Sequence, residues 1–92
     1  MAASPQRFDL DERLIEKHIG LDQERYGGRA DAFLKKSGAS VWAIVMFLDT
    51  YDGDRNEIAR HFGISQEEID AALAFYRRNK KYVDARILLN EA

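Results

Sequence analysis

Arg55-Asn-Glu-Ile-Ala-Arg-His-Phe-Gly-Ile-Ser-Gln-Glu-Glu-Ile-Asp-Ala-Ala-Leu73 is the stretch that decides the fold. Ile58, Ala59, Phe62, Gly63, Ile64, Ile69 and Ala72 have the spacing of two short helices joined by a tight turn. A small residue, Ala59, suits a close helix crossing, and Gly63 suits a turn position with positive φ. Ile58, Phe62, Ile64 and Ile69 fill the angle between the helices. Asp54 with Glu57, and Ser65 with Glu68, have the three-residue spacing of helix N-caps. The pattern is that of a helix-turn-helix.

Upstream, Val41 to about Tyr51 carries Val41, Ile44, Val45 and Leu48 as a broad apolar stripe, with Asp52-Gly53 as its stop. Downstream, Ile69, Ala72, Leu73, Tyr76, Val83 and Ile87 lie along one drifting face. That helix either runs to about Asn90 or bends near Asn79. Leu10, Leu14, Ile15, His18 and Ile19 recur at helical spacing over 9–19, ending at Gly20. Ala30, Ala32 and Leu34 alternate with polar residues and Ser37-Gly38 is a turn signal. Residues 30–41 are therefore expected as a short β-hairpin, with a helix over 29–36 as the rival. An isolated hairpin is marginal in water, so pairing with a second copy is expected.

The fold class expected is mainly α. A three-helix helix-turn-helix core, homeodomain-like or winged-helix-like, spans 41–78. A flexible tail (1–8), an N-terminal helix (9–19), the hairpin (30–41) and a C-terminal helical extension (79–91) complete a single domain.

Ninety-two residues with net charge −2 do not make a basic nucleic-acid coat. Such a chain hides only about 60–65% of its unfolded surface, which favours a homodimer. Without cysteine there is no thiolate metal site and no disulfide framework. The start lacks the apolar core of a signal peptide, and the longest apolar run, Val41–Leu48, is too short to span a membrane. A cytoplasmic location without membrane attachment is expected. His18 and His61 have no spaced partner, and Glu67, Glu68 and Asp70 are too close to flank a substrate. No enzyme, metal or cofactor is expected.

Charge divides the remaining readings. Residues 65–76 carry three acids and no base, whereas 77–92 carry Arg77, Arg78, Lys80, Lys81 and Arg86 against Asp84 and Glu91. In a DNA reader, the exposed positions early in the third helix meet base edges. Those are Gln66, Glu67, Asp70 and Ala71; Gln66 suits adenine and an acid can accept from cytosine N4, but three carboxylates beside phosphates repel. Candidate DNA contacts are thus Gln66, Arg77, Arg78, Lys80 and Lys81, with Lys35, Lys36, Arg25 and Arg29 as a second patch. Candidate partner contacts are Tyr82, Val83, Arg86, Ile87, Leu88 and Leu89, because three consecutive apolar residues cannot all face one core.

Four segments carry a resemblance. They are Gly38-Ala-Ser-Val-Trp-Ala-Ile-Val45, Asn56-Glu-Ile-Ala-Arg-His-Phe62, Ile64-Ser-Gln-Glu-Glu-Ile-Asp-Ala-Ala-Leu-Ala-Phe-Tyr76 and Val83-Asp-Ala-Arg-Ile87. Over about residues 28–87 the chain resembles small bacterial proteins catalogued as domain of unknown function four-three-three. Where that family commonly has Gly-Thr-Arg-Ile-Pro-Val, this chain has Lys36-Ser-Gly-Ala-Ser-Val41, without the arginine and proline. The resemblance implies a dimer and an antitoxin-like module of a VapBC-type pair that neutralises a PIN-like nuclease. The alternative it leaves is a dimeric regulator binding a DNA operator.

Overall fold

The computed structural model describes residues 7–21 and 28–91. Five helices are present among them: α1 (Arg7–His18), α2 (Val41–Thr50), α3 (Arg55–Phe62), α4 (Gln66–Arg78) and α5 (Lys80–Glu91). A 3-10 turn covers Gly28–Asp31, and a two-stranded antiparallel sheet joins β1 (Ile19–Gly20) to β2 (Phe33–Leu34). The fold is mainly helical. Residues 1–6 of the expected tail, and Arg25, lie outside the described residues.

Local chemistry explains the helix ends. Asp54 accepts a hydrogen bond from the Glu57 amide at 3.1 Å, which caps α3. Glu57 does not complete a capping box; its carboxylate turns to Arg60 instead. Ser65 accepts from the Glu68 amide at 3.1 Å, and the Glu68 carboxylate accepts from the Ser65 amide at 3.0 Å. That reciprocal box satisfies two donors left over at the start of α4. Gly63 closes α3 in the left-handed region, at φ 64° and ψ 44°. Asp52 and Gly53 take positive φ after α2.

The C-terminal segment bends at Asn79, and is not one long helix. Asn79 caps α4, its amide side chain donating to the Phe75 carbonyl at 3.1 Å. The bend brings α5 back against α2 and the 3-10 turn.

Residues 30–41 form less strand than expected. Gly38 N donates to Leu34 O and Leu34 N donates to Ala39 O, both at 2.8 Å, and a single bridge pairs Phe33 with Ser40. The free edge of β2 is met by β1 of the same chain, with Ile19 opposite Leu34 and Gly20 opposite Phe33. No second copy is needed there. Gly20 does more than stop a helix: a Cβ on it would lie 2.7 Å from the Phe33 ring.

α4 is the axis of the molecule, packed by all four other helices. Ile69, Ala71, Ala72, Ala74 and Phe75 are buried on it. Ile58 from α3, Ile44 and Val41 from α2, Leu34 from β2 and Val83 from α5 complete the centre of the core. Small residues on α4 let several helices approach it at once, at a cost in side-chain contact that the isoleucines of its neighbours restore.

Candidate functional site

α1 runs antiparallel along α4, and the two helices are charge-matched. At one end Lys17 Nζ and His18 Nε2 reach Glu67 Oε2 at 3.0 and 2.6 Å. These hydrogen bonds, that of His18 first, hold Glu67 below its ordinary carboxylate value. At the other end Arg77 is bidentate on Asp11, with Nη2 2.7 Å from Oδ1 and Nε 3.4 Å from Oδ2. Arg78 pairs with Glu12. Both helices carry acids in the first turn and bases in the last, so the pairs also suit the two macrodipoles.

This arrangement bears on each candidate DNA contact. Arg77 and Arg78 are held by α1 acids. Lys80 Nζ is 2.9 Å from Asp84 Oδ2, and Lys35 Nζ donates to the Glu16 carbonyl at 2.8 Å. Gln66 accepts from Arg55 at 3.1 Å and donates to Asn56 at 3.3 Å. Asp70 pairs with the same arginine, Arg55. Ala71, considered for base contact, is fully buried. Lys36 and Lys81 are exposed. The bases after Tyr76 are thus largely engaged inside the fold, and the acids at the start of α4 have internal partners.

The candidate partner contacts separate into two groups. Val83 is a correction: at 0% exposure it belongs to the core. Ile87 packs against that core. Arg86 lies over the Trp42 ring at 4.4 Å, with Nε 3.3 Å from Asp31 Oδ1. Tyr82 stays exposed, with Arg29 over its ring. Leu88 and Leu89 are 68% and 70% exposed. With inward positions at 83 and 87, the 3.6-residue period sends 81, 85, 88 and 89 outward.

Two grooves flank α5. One, of about 600 Å³, lies between α5 and the 3-10 turn and is lined by Ala30, Tyr82, Ala85 and Leu89. The other, of about 610 Å³, lies between α5 and the end of α2, with Val45, Leu48 and Ile87 below and Asp49, Asp52 and Glu91 at its margin. At the α4–α5 elbow, Tyr76 donates to Asp84 at 2.7 Å. That bond, followed by the one from Lys80, holds Asp84 below the usual carboxylate range. The same Tyr76–Asp84 bond pushes Tyr76 up, against a smaller lowering from Lys80.

His61 is exposed and joins Phe47, whose ring also meets Phe62 edge-on at 5.5 Å. No group of three His, Asp or Glu side chains converges as a metal site among the described residues. No described helix is long and apolar enough to cross a membrane.

Sequence reasoning did not find the part played by Asp11, Glu12, Lys17 and His18. The signal was present: α1 reads acid to base from its start to its end, as does α4. Two such helices attract when antiparallel. No protein-family model, curated protein or solved structure matches the chain.

Proposed function

We propose that the chain is a protein-interaction module of the antitoxin kind, acting in the cytoplasm on a PIN-like nuclease through the outer face of α5. The observation that carries this reading is the contrast between α4 and α5. Nearly every charge on α4 is matched within the molecule, whereas α5 leaves Tyr82, Leu88 and Leu89 in solvent. Adjacent exposed leucines beside an apolar groove are the surface a helix offers to another protein. The resemblance of residues 28–87 to antitoxin-like proteins supplies the kind of partner.

Leu88→Asp with Leu89→Asp tests it. Tested against a PIN-like nuclease from a neighbouring reading frame, the double variant should lose co-purification and lose protection of that nuclease's RNA substrate, while its far-UV dichroism stays native. Retained binding removes α5 as the contact. Absence of binding by the parent chain removes the nuclease reading itself.

A DNA-binding regulator is the second reading, favoured by the α3–turn–α4 segment, which we take with α2 as a helix-turn-helix. Its cost is the engagement of Arg77 and Arg78 by α1. It requires a salt-dependent shift of operator DNA, with the log–log slope falling by about 0.9 for each phosphate contact removed. Neutralising Lys36 and Lys81 should flatten that slope more than neutralising Arg77 and Arg78.

A further inference from the structure

Two helices end on a charge that opposes their dipoles. α1, α3 and α4 each carry bases in the last turn, which suits the negative end of a helix. α2 and α5 carry none there. Their last turns hold carboxylates instead, Asp49 on α2 and Glu91 on α5. Asp52 follows just after α2. All three acids are exposed, and their side chains have no hydrogen-bond or ion-pair partner among the described residues.

Both helix ends and all three acids border one groove, that of about 610 Å³ between α5 and the end of α2. Its floor is apolar, with Val45, Leu73 and Ile87 each partly exposed. No lysine or arginine lines it, and Lys80 nearby is engaged by Asp84. The acids do not converge as a metal site. A sequence that breaks local preference twice at one groove trades stability for binding.

We propose that this groove takes a short basic segment of a partner protein. An apolar side chain of that segment seats on Val45, Leu73 and Ile87, and lysine or arginine on its flanks meets Asp49, Asp52 and Glu91. Charge decides the chemistry: three carboxylates and two helix ends make the margin negative, so nucleic acids and acidic segments are repelled. A single free amine satisfies one carboxylate, whereas a chain with several bases around an apolar residue satisfies all three. From Asp84 to Glu91 the groove follows α5 for about 10 Å, the length of two helical turns or about three extended residues. It shares no lining residue with the groove beside Ala85, so the inference does not rest on the nuclease contact.

The probe is a fluorescein-labelled peptide of two leucines flanked on both sides by lysines, titrated with the purified full chain and followed by anisotropy. Binding should saturate, weaken with salt, and shift the methyl NMR signals of Val45, Leu73 and Ile87. Glutamates in place of the peptide's lysines should abolish it. Asp49→Asn, Asp52→Asn and Glu91→Gln together should weaken it by about tenfold, the sum of three modest rim pairs. Asparagine tolerates the positive φ at position 52. The same triple variant should unfold at least about 2 °C higher at low salt, because two adverse dipole contacts are gone. No saturation by about 1 mM peptide overturns the inference, as do methyl shifts confined to Leu88 and Leu89. Unchanged affinity in the triple variant overturns it too, and a lowered midpoint does so by making the acids structural. A dimer that the triple variant dissociates would make the occupant a second copy, with the same result. Leu88→Asp with Leu89→Asp should leave peptide binding intact, so the groove and the nuclease contact can fail separately.

Discussion

Gly63 and Ser65 are adjacent to one turn, yet they stabilise it by different means. At Gly63 a Cβ would meet no atom within 4 Å, so only the left-handed backbone opposes a side chain. Gly63→Ala should therefore cost about 1 kcal/mol through backbone strain alone. Ser65→Ala removes a hydrogen bond to the Glu68 amide, also worth about 1 kcal/mol. The Glu68 carboxylate keeps its bond from the backbone amide of residue 65 in that variant, and its Oε2 is buried without a partner in either case. Thermal unfolding should show each variant lowered by about 4–8 °C, the conversion for a domain of this size. Asp84 gives a pH-dependent counterpart. Its folded value is depressed, so its contribution is present above the unfolded value near 3.8 and fades as pH falls through the folded one. Tyr76 is raised, so its contribution holds below the ordinary value of 10.0 and is lost as pH rises through the folded one. Asp84→Asn should bring the Tyr76 titration, followed by tyrosine ring NMR, back down toward 10.0. An unmoved Tyr76 would mean that the Tyr76–Asp84 bond does not persist in solution.

At the scale of elements, the antiparallel match of α1 to α4 is the main determinant of what the molecule presents. Asp11 is buried and Arg77 is its partner across the interface. Arg77→Ala leaves that carboxylate unpaired and should destabilise by about 2 kcal/mol, discounted from the figure for a fully buried pair because the arginine is partly exposed. Asp11→Ala should cost less, since the freed guanidinium regains water. The double variant should fall short of the sum of the two by about 1 kcal/mol, which a double-mutant cycle in urea reads directly. Full additivity would mean that the pair contributes nothing. The sequence carried much of this level. The helices over 41–51 and 55–78 follow from apolar period and caps, because those signals are local. The pairing of β2 with β1 was not legible, since it depends on residues 13 and 15 positions apart, Gly20 with Phe33 and Ile19 with Leu34, meeting across the intervening segment. Nor was the fate of Arg77 and Arg78, whose partners lie 66 positions away. A basic run in sequence says nothing of what will lie against it.

On the scale of the whole molecule, a radius of gyration of 13.3 Å compares with about 12 Å for a compact chain of this length. Two grooves beside α5 and two exposed leucines near its end account for surface that the core does not cover. A chain of 92 residues has a small margin of stability, so covering that surface with a second copy, as the dimer expected from the sequence would do, should register in unfolding. If folding and pairing are coupled, each tenfold rise in concentration adds about 1.4 kcal/mol per dimer, or half of that per chain. At about 4–8 °C per kcal/mol for a domain of this size, the midpoint should climb by ~3 °C or more per decade of concentration above the dissociation constant. The Leu89→Asp variant should lose that slope while keeping its dilute-limit midpoint, because Leu89 is 70% exposed in the single chain and contributes little to its core. Calorimetry across two decades of concentration separates the cases. A flat midpoint in the parent would show that α5 carries no stabilising partner of its own kind. A midpoint lowered in the variant even at the dilute limit would show that Leu89 packs within the chain.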